Sequence, residues 1–225
     1  MKPSTQEIEI AQGIVKVLAA RNFMSVLNRP MFEWYEENDD LIVEGYEFAS
    51  GCTKVVVLHP SLANWVIKFP ADGGHWESRV KRFTVEGEEP CSDYCAQEVK
   101  NYERAVEFGY AEYFAASYKL MDCEGTAVYI QERASCSRDE CDEIFFNSAS
   151  SSVDKEEFED EDDYYSYVND IVDEFTDDEA AEAMFGTVVH DGLIDFMNDY
   201  CITDLHAGNF GFIGERPVMV DYSGY

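Results

Sequence analysis

The stretch ITDLHAGNFGF (residues 202–212), followed by PVMVDYSGY (residues 217–225), decides how this 225-residue chain is read. Each contains a short apolar run with polar punctuation, which predicts two short strands joined by a turn. Upstream, Met184, Val188, Val189, Leu193, Phe196 and Met197 recur at helical spacing, so residues 183–200 are expected to form one buried helix leading into this hairpin. Asp204 and Asn209 stand five residues apart at the exit from that helix, and Asp221 ends the run PVMV. Carboxylate and amide oxygens are the ligands that magnesium takes, and a carboxylate aimed at a hydroxyl can take its proton.

Phosphoryl transfer needs one more group, a lysine on the nucleotide phosphates. Lys68 in WVIKF is the only charge in an apolar run, and a buried strand rarely hosts lysine unless it is paired. Glu98, within SDYCAQEVKNYERA, is the natural partner. That segment reads as a helix over residues 92–108, with Ala96, Val99, Tyr102 and Val106 on one face. LIVEGYEF (41–48), TKVVVLHP (53–60), NWVIKFP (64–70) and TAVYIQERA (126–134) read as strands. A long loop is expected from Ala71 to Pro90.

Farther out, Ser4 and Glu7 form a capping-box pattern. Ile8, Ile10, Ala11, Ile14, Val15 and Leu18 then predict an amphipathic helix over residues 5–20, expected to pack outside these motifs. Charge is uneven along the chain: 47 acidic against 16 basic side chains give a net charge of −31, and residues 139–182 hold −18 of it, with Lys155 their one base. Within them SASSSVDKEEFEDEDD (148–163) has the composition of a flexible loop, and Tyr164, Tyr167, Val168, Ile171, Val172 and Phe175 mark a helix after it.

Composition bounds the function. A hydrophobic content of 46% supplies a real core. A surface this negative repels nucleic acid, so direct nucleic-acid binding is not expected. No run reaches the ~18–20 uncharged apolar residues of a membrane span, and MKPSTQEIEI lacks the apolar core and cleavage site of a signal peptide, so the expected location is a cytoplasm. The seven cysteines, including the pairs Cys91/Cys95 and Cys136/Cys141, lack the tight spacing of zinc sites and are expected to be reduced thiols.

With these residues in place the chain resembles the protein-kinase-like phosphotransferases, in particular the compact members found in phage and mobile elements. WVIKF resembles their third-strand lysine motif, Asp204-Leu-His-Ala-Gly-Asn209 their catalytic loop, and Asp221-Tyr-Ser-Gly224 their metal-binding Asp-Phe-Gly. The stretch ASGCTKVVV looks like a degenerate form of their nucleotide-covering loop, with Gly51 in place. The resemblance runs from about Glu44 to the last residue. It implies an α+β, two-lobed fold, with an N-terminal helical extension (1–40), a β-rich N-lobe (41–133) and a reduced, mainly helical C-lobe (134–225) carrying the acidic insertion (139–182). It further implies ATP and Mg²⁺ as cofactors. Lys68 would hold the α- and β-phosphates, Glu98 would orient Lys68, Asp204 would be the catalytic base, and Asn209 with Asp221 would hold the metal. His206 would be a structural or phosphate-near side chain.

Each residue also has a plainer explanation. Lys68 can snorkel from an edge strand, Glu98 can be a solvated surface charge, Asp204 can cap a turn, and Asn209 can occupy a turn at positive φ. The closely spaced glycines of a standard phosphate loop are missing. Four residues follow Asp221, so no activation segment is expected and any protein substrate is expected on other surfaces. The leading expectation is an ATP-dependent phosphotransferase acting on a protein or other basic partner, with transfer of AMP left open. The alternative is a catalytically weak kinase-like scaffold whose acidic segment imitates nucleic acid and inhibits a host protein, in the host cytoplasm if the chain is phage-encoded.

Overall fold

Ser4 starts the first helix through a full capping box: its Oγ accepts a hydrogen bond from the Glu7 amide at 3.3 Å, and its own amide donates to the Glu7 carboxylate at 2.7 Å. The Ser4 hydroxyl and the Ser4 amide, both donating to the Glu7 carboxylate at 2.6 and 2.7 Å, hold that carboxyl below the usual carboxylate range. The computed structural model describes residues 1–27, 32–51, 53–71, 91–135, 138–158, 160–186 and 190–223. They form an α+β protein of two compact units, Met1–Ala111 with Ala115–Arg133, and Glu112–Phe114 with Ala134–Tyr225.

The first unit is built on a five-stranded antiparallel sheet of β1 (Glu47–Ser50), β2 (Lys54–Leu58), β3 (Trp65–Pro70), β4 (Ser117–Cys123) and β5 (Thr126–Glu132), in the order β1-β2-β3-β5-β4. α1 (Thr5–Ala20) lies on one face. Its Ala11, Ile14, Val15 and Leu18 join Val55, Val57, Trp65, Ile67, Phe69, Val128 and Ile130 in a single core, so this helix is part of the unit and not an extension outside it. Trp65 Nε1 donates to Glu7 at 2.9 Å and ties the helix to β3. Between them, Phe23 packs edge-on against Trp34 and Phe69 at centroid distances of 4.9 and 5.1 Å. α4 (Tyr94–Phe108), inserted between β3 and β4, covers the other face. Being covered on both sides, β3 has no alternation of apolar and polar positions.

Three sequence expectations for this unit need correction. Residues 41–48 are not one strand: α2 (Phe32–Glu37) and α3 (Asp39–Val43) precede β1, and Gly45 at φ +95° turns the chain between α3 and the strand. Asp39 and Asp40 in the first turn favour the helix, where carboxylates meet exposed amides. β4 was not anticipated, because SYKLMDC mixes charges with apolar residues and carries a register shift between Lys119 and Met121. The buried face of α4 is Tyr94, Cys95, Glu98, Asn101, Tyr102 and Ala105, whereas Val106 is exposed. The helix turned its polar residues inward because the sheet beneath it is polar. The expected loop at Ala71 to Pro90 lies, from residue 72 on, outside the described residues.

The second unit comprises α5 (Arg138–Ser150), α6 (Glu161–Asp173), α7 (Asp177–Phe185), α8 (His190–Asp199) and the hairpin β6 (Phe210–Ile213) and β7 (Arg216–Met219). Phe210 is its aromatic centre, within 6 Å of the Phe145 and Phe185 rings at 5.9 and 5.8 Å. Phe114 packs edge-on against Phe196 and Tyr222. The expected single helix over 183–200 is broken: α7 stops at Gly186, whose φ of +79° no helix accommodates, and α8 starts at His190. Val188 and Val189 lie outside the described residues.

The expected flexible loop at 148–163 is also overturned. α5 runs to Ser150, a turn and a 3-10 helix at Lys155–Glu157 follow, and α6 begins at Glu161. Ala149, Tyr164 and Val168 form a buried cluster against which Phe146, Val153, Phe158 and Ile171 pack. Deleting residues 148–163 is therefore expected to give insoluble protein or to remove the cooperative thermal transition of this unit. A deletion variant that melts like the full chain would show the segment to be a linker.

Candidate functional site

β2 and β3 present every second side chain to α4, and the register places Val56 opposite Lys68, so Lys54 and Lys68 share that face. Lys68 pairs with Tyr129 on β5, Val66 with Gln131, and Gln131 with Ser117 on β4, which brings all of them to the same side. Glu98 descends from α4 into this polar face and is 1% exposed. Its carboxylate accepts from Lys68 Nζ at 2.8 and 3.0 Å and from Lys54 Nζ at 2.6 Å. Gln131, donating to Ser117 Oγ at 2.8 Å, sits beside it. The helix starts from the same polar network. Asp93 caps α4 by accepting from the Ala96 amide at 2.9 Å, and its other oxygen accepts from the Tyr129 hydroxyl. Burial and that hydrogen bond push the Tyr129 phenol upward.

Lys68 is thus neither on an edge strand nor snorkelling: β3 is interior to the sheet and the residue is 4% exposed. Glu98, not Glu103 or Glu107, is the acid on the buried face of α4. Lys54 is the residue that sequence reasoning missed. It opens the run KVVVL, and nothing local singles it out, because its acid partner lies 44 residues away. Cys95 lies in the same buried environment, where burial first and the Glu98 carboxylate second push its thiol up, so it stays protonated and is no nucleophile.

Gly51 is exposed at the β1–β2 turn, its amide donating to the Lys54 carbonyl at 3.0 Å. A Cβ there would meet nothing within 4 Å, so the chain's own packing does not demand glycine at this position. Cys52, next in the turn, lies outside the described residues.

In the second unit Asn209 gathers the other candidates. Its side-chain amide donates to the Asp204 carbonyl at 2.6 Å, and its own carbonyl accepts from the amides of Val220 at 2.8 Å and Asp221 at 3.4 Å. One 8%-exposed residue therefore stitches the DLHAGN loop to the end of β7. With Nδ2 so used, Oδ1 is the atom of Asn209 that can turn to a cation. Asp204 is exposed and adopts φ +64°; it, and not Asn209, occupies the left-handed region. Aspartate tolerates that conformation better than most residues. The Leu205 amide after it donates to Asp177 at the start of α7 at 2.6 Å, which fixes the turn from the other side. His206 accepts from the Gly208 amide through Nδ1 at 3.1 Å, and a Cβ at Gly208 would stand 2.9 Å from its ring. His206 is thereby a loop-shaping residue. Asp221 is half-buried and accepts from Ser223 Oγ at 3.1 Å, next to Tyr222, which is fully buried. Gly224 lies outside the described residues.

Asn209 and Asp221 offer hard oxygen donors, which suits Mg²⁺. Among the described residues no three His, Cys, Asp or Glu side chains converge to hold a metal on protein ligands alone. Magnesium commonly takes one or two protein oxygens and completes its shell with substrate phosphates and water, so this donor set fits a metal that arrives with a nucleotide. Cys91, Cys95 and Cys123 are free thiols. Among the described residues no helix is long and apolar enough to cross a membrane. Comparison with family models, with curated proteins and with solved structures returned no match.

Glu98→Ala leaves two buried ammonium groups without their shared carboxylate. Breaking a buried ion pair from one side costs about 3–5 kcal/mol, and denaturant unfolding should register a loss of that order. A loss below about 0.5 kcal/mol, the range of an ordinary surface substitution, would mean that the cluster is not maintained in solution.

Proposed function

We propose that this chain is an ATP-dependent phosphotransferase of the protein-kinase-like type, two-lobed, with the first unit as its nucleotide-holding lobe and the second as its catalytic and metal-binding lobe. The observation that carries the proposal is the buried Lys68–Glu98 pair at 2.8 Å, joining the third strand of a five-stranded antiparallel sheet to the helix inserted before the fourth. The likeness of DLHAGN and DYSG to the catalytic and metal-binding motifs supports it, as does the tether by which Asn209 links them.

In this reading Lys68 holds the α- and β-phosphates while Glu98 fixes the direction of its ammonium. Gly51, exposed and unhindered, is where backbone can approach a phosphate closely. Asn209 Oδ1 and the Asp221 carboxylate hold Mg²⁺, which when bound neutralises charge on the phosphates. Asp204 orients the acceptor hydroxyl and takes its proton as the hydroxyl oxygen attacks the γ-phosphorus. The bond from that phosphorus to the β–γ bridging oxygen breaks, and ADP leaves. The net charge of −31 steers the enzyme toward a basic protein acceptor.

A second reading is favoured by one observation. The acidic segment is ordered on helices, with Asp139, Glu140, Asp142 and Glu143 exposed on α5 and Glu161, Asp162 and Asp163 exposed on α6. A fixed negative surface can occupy a basic groove on another protein as nucleic acid would, with affinity that falls steeply as salt rises.

Calorimetry with Mg²⁺ and a non-hydrolysable ATP analogue, followed by transfer assays with ATP labelled at the γ- or the α-phosphate, tests the proposal. Wild type should bind, and Asp221→Asn should lose most of the metal-dependent affinity. Asp204→Asn should keep nucleotide affinity and lose roughly 10²–10⁴-fold in turnover. Label transferred from the α-phosphate would make the reaction adenylylation. Absence of nucleotide binding, together with salt-sensitive capture of a basic protein, would favour the inhibitor reading.

A further inference from the structure

Glu98 accepts from two lysines, and the second is held at least as tightly as the first: Lys54 Nζ stands 2.6 Å from Oε1, with 6% of its side chain exposed, against 5% for Lys68. The two ammonium groups come from adjacent strands on one face of the sheet and meet at a single carboxylate. A buried carboxylate must keep a cationic partner at every stage, because an uncompensated one costs several kcal/mol. With one lysine, any turn of the ammonium toward a phosphate weakens the only pair that keeps Glu98 charged in the interior. With two, one can stay while the other turns.

We propose that Lys54 is a positioning residue: it remains on Glu98 as the standing counter-ion, so that Lys68 is released to engage the phosphate groups of a nucleotide. This deepens the phosphotransferase reading and rests on it. Three features of the site support the division of labour. Lys54 is the first residue of β2, and its strand neighbour in the register is Pro70, at the end of β3, whereas Lys68 lies inside β3 opposite Val56 and Tyr129. Lys54 stands closest to Oε1 at 2.6 Å and Lys68 to Oε2 at 2.8 Å, so that Lys68 can leave Oε2 while the Lys54 bond at Oε1 stays. Gln131 Nε2, 3.5 Å from Oε2, is placed to close on the oxygen that Lys68 vacates. No covalent step is involved.

The test compares Lys54→Met and Lys54→Gln with wild type, measuring calorimetric affinity for the Mg²⁺-ATP analogue, KM for ATP, kcat, and thermal stability without nucleotide. Lys54→Gln keeps a hydrogen-bond donor toward Glu98, so a Met variant that does not fold leaves the result readable. Loss of the standing counter-ion should weaken nucleotide binding and raise KM by about tenfold, the equivalent of about 1.4 kcal/mol, with kcat changed far less. Lys54→Arg, which restores a cation, should recover most of the affinity. In a Glu98→Gln background, where no charge needs a counter-ion, Lys54→Met should add nothing. Variants that lose thermal stability yet bind and turn over nucleotide as wild type would overturn the proposal and leave Lys54 a structural residue, with the phosphotransferase reading intact. An additive effect in the Glu98→Gln background would overturn it too, since Lys54 would then act on the nucleotide directly. Wild type that binds no Mg²⁺-ATP analogue would sink both the proposal and the reading beneath it.

Discussion

Everything in the first unit is arranged around one requirement, that the Glu98 carboxylate be paired in a place that excludes water. Burying an ion pair does not in general stabilise a protein relative to well-packed apolar residues of the same volume. A Leu or Met trio at positions 54, 68 and 98 could fill the space without desolvating three charges. The sheet instead places a polar group on this face, among valines: Lys54, Lys68, Tyr129, Gln131 and Ser117 all turn toward α4. Asp93 and Glu98, one turn and a half apart, then fix both the start of α4 and its rotation. The apolar face carries the compensating stability. It packs α1 and the aromatic group of Phe23, Trp34 and Phe69 into a core whose members are almost fully buried.

The second unit meets a different constraint with backbone in place of charge. Asp204 in the left-handed region costs on the order of 1 kcal/mol or more, which persists only where surrounding bonds over-determine the loop. Here they do. The Asn209 amide holds the Asp204 carbonyl, Asp177 holds the next amide, and His206 with Gly208 closes the turn between them. The small residue at 208 is required by the imidazole, not by its own backbone angle. Bonds on both sides of Asp204 thus fix its backbone, which narrows the directions open to its side chain.

How much of this was legible follows from which signals are local. The Ser4–Glu7 capping box, the helical spacing of Ile14 and Leu18, and the lone lysine of WVIKF are short-range patterns, and the structure has each as read. The pairing of Glu98 with Lys68 was legible as an expectation because a lone lysine in an apolar strand calls for an acid, though the face of α4 was misread. Its apolar residues suggested one burial side, and the polar sheet beneath it selected another. β4 and Lys54 were illegible for the same reason in two forms. A strand on the sheet edge with mixed composition, and a lysine whose partner lies 44 residues away, are defined by tertiary neighbours alone.

The acidic segment failed as a sequence reading because composition counts charge without regard to position. Its carboxylates are not spread at random. Asp139 and Glu140 stand in the first turn of α5, Glu161, Asp162 and Asp163 in that of α6, and Asp177, Asp178 and Glu179 in that of α7. Negative charge at a helix N-terminus is attracted by the exposed amides and the macrodipole. Asp160 and Thr176 also cap their helices directly, and the Thr176 bonds hold the Glu179 carboxyl below its usual range. The single base, Lys155, reaches Glu161 at 2.6 Å and lies over the Tyr164 ring. Repulsion among the remaining acids is then opposed by Phe146, Phe158, Tyr164 and Val168, which pack together on the inner side. A segment can thus be strongly acidic on its surface and still fold, provided that many of its charges sit where helix ends accept them and part of its aromatic residues pack inward.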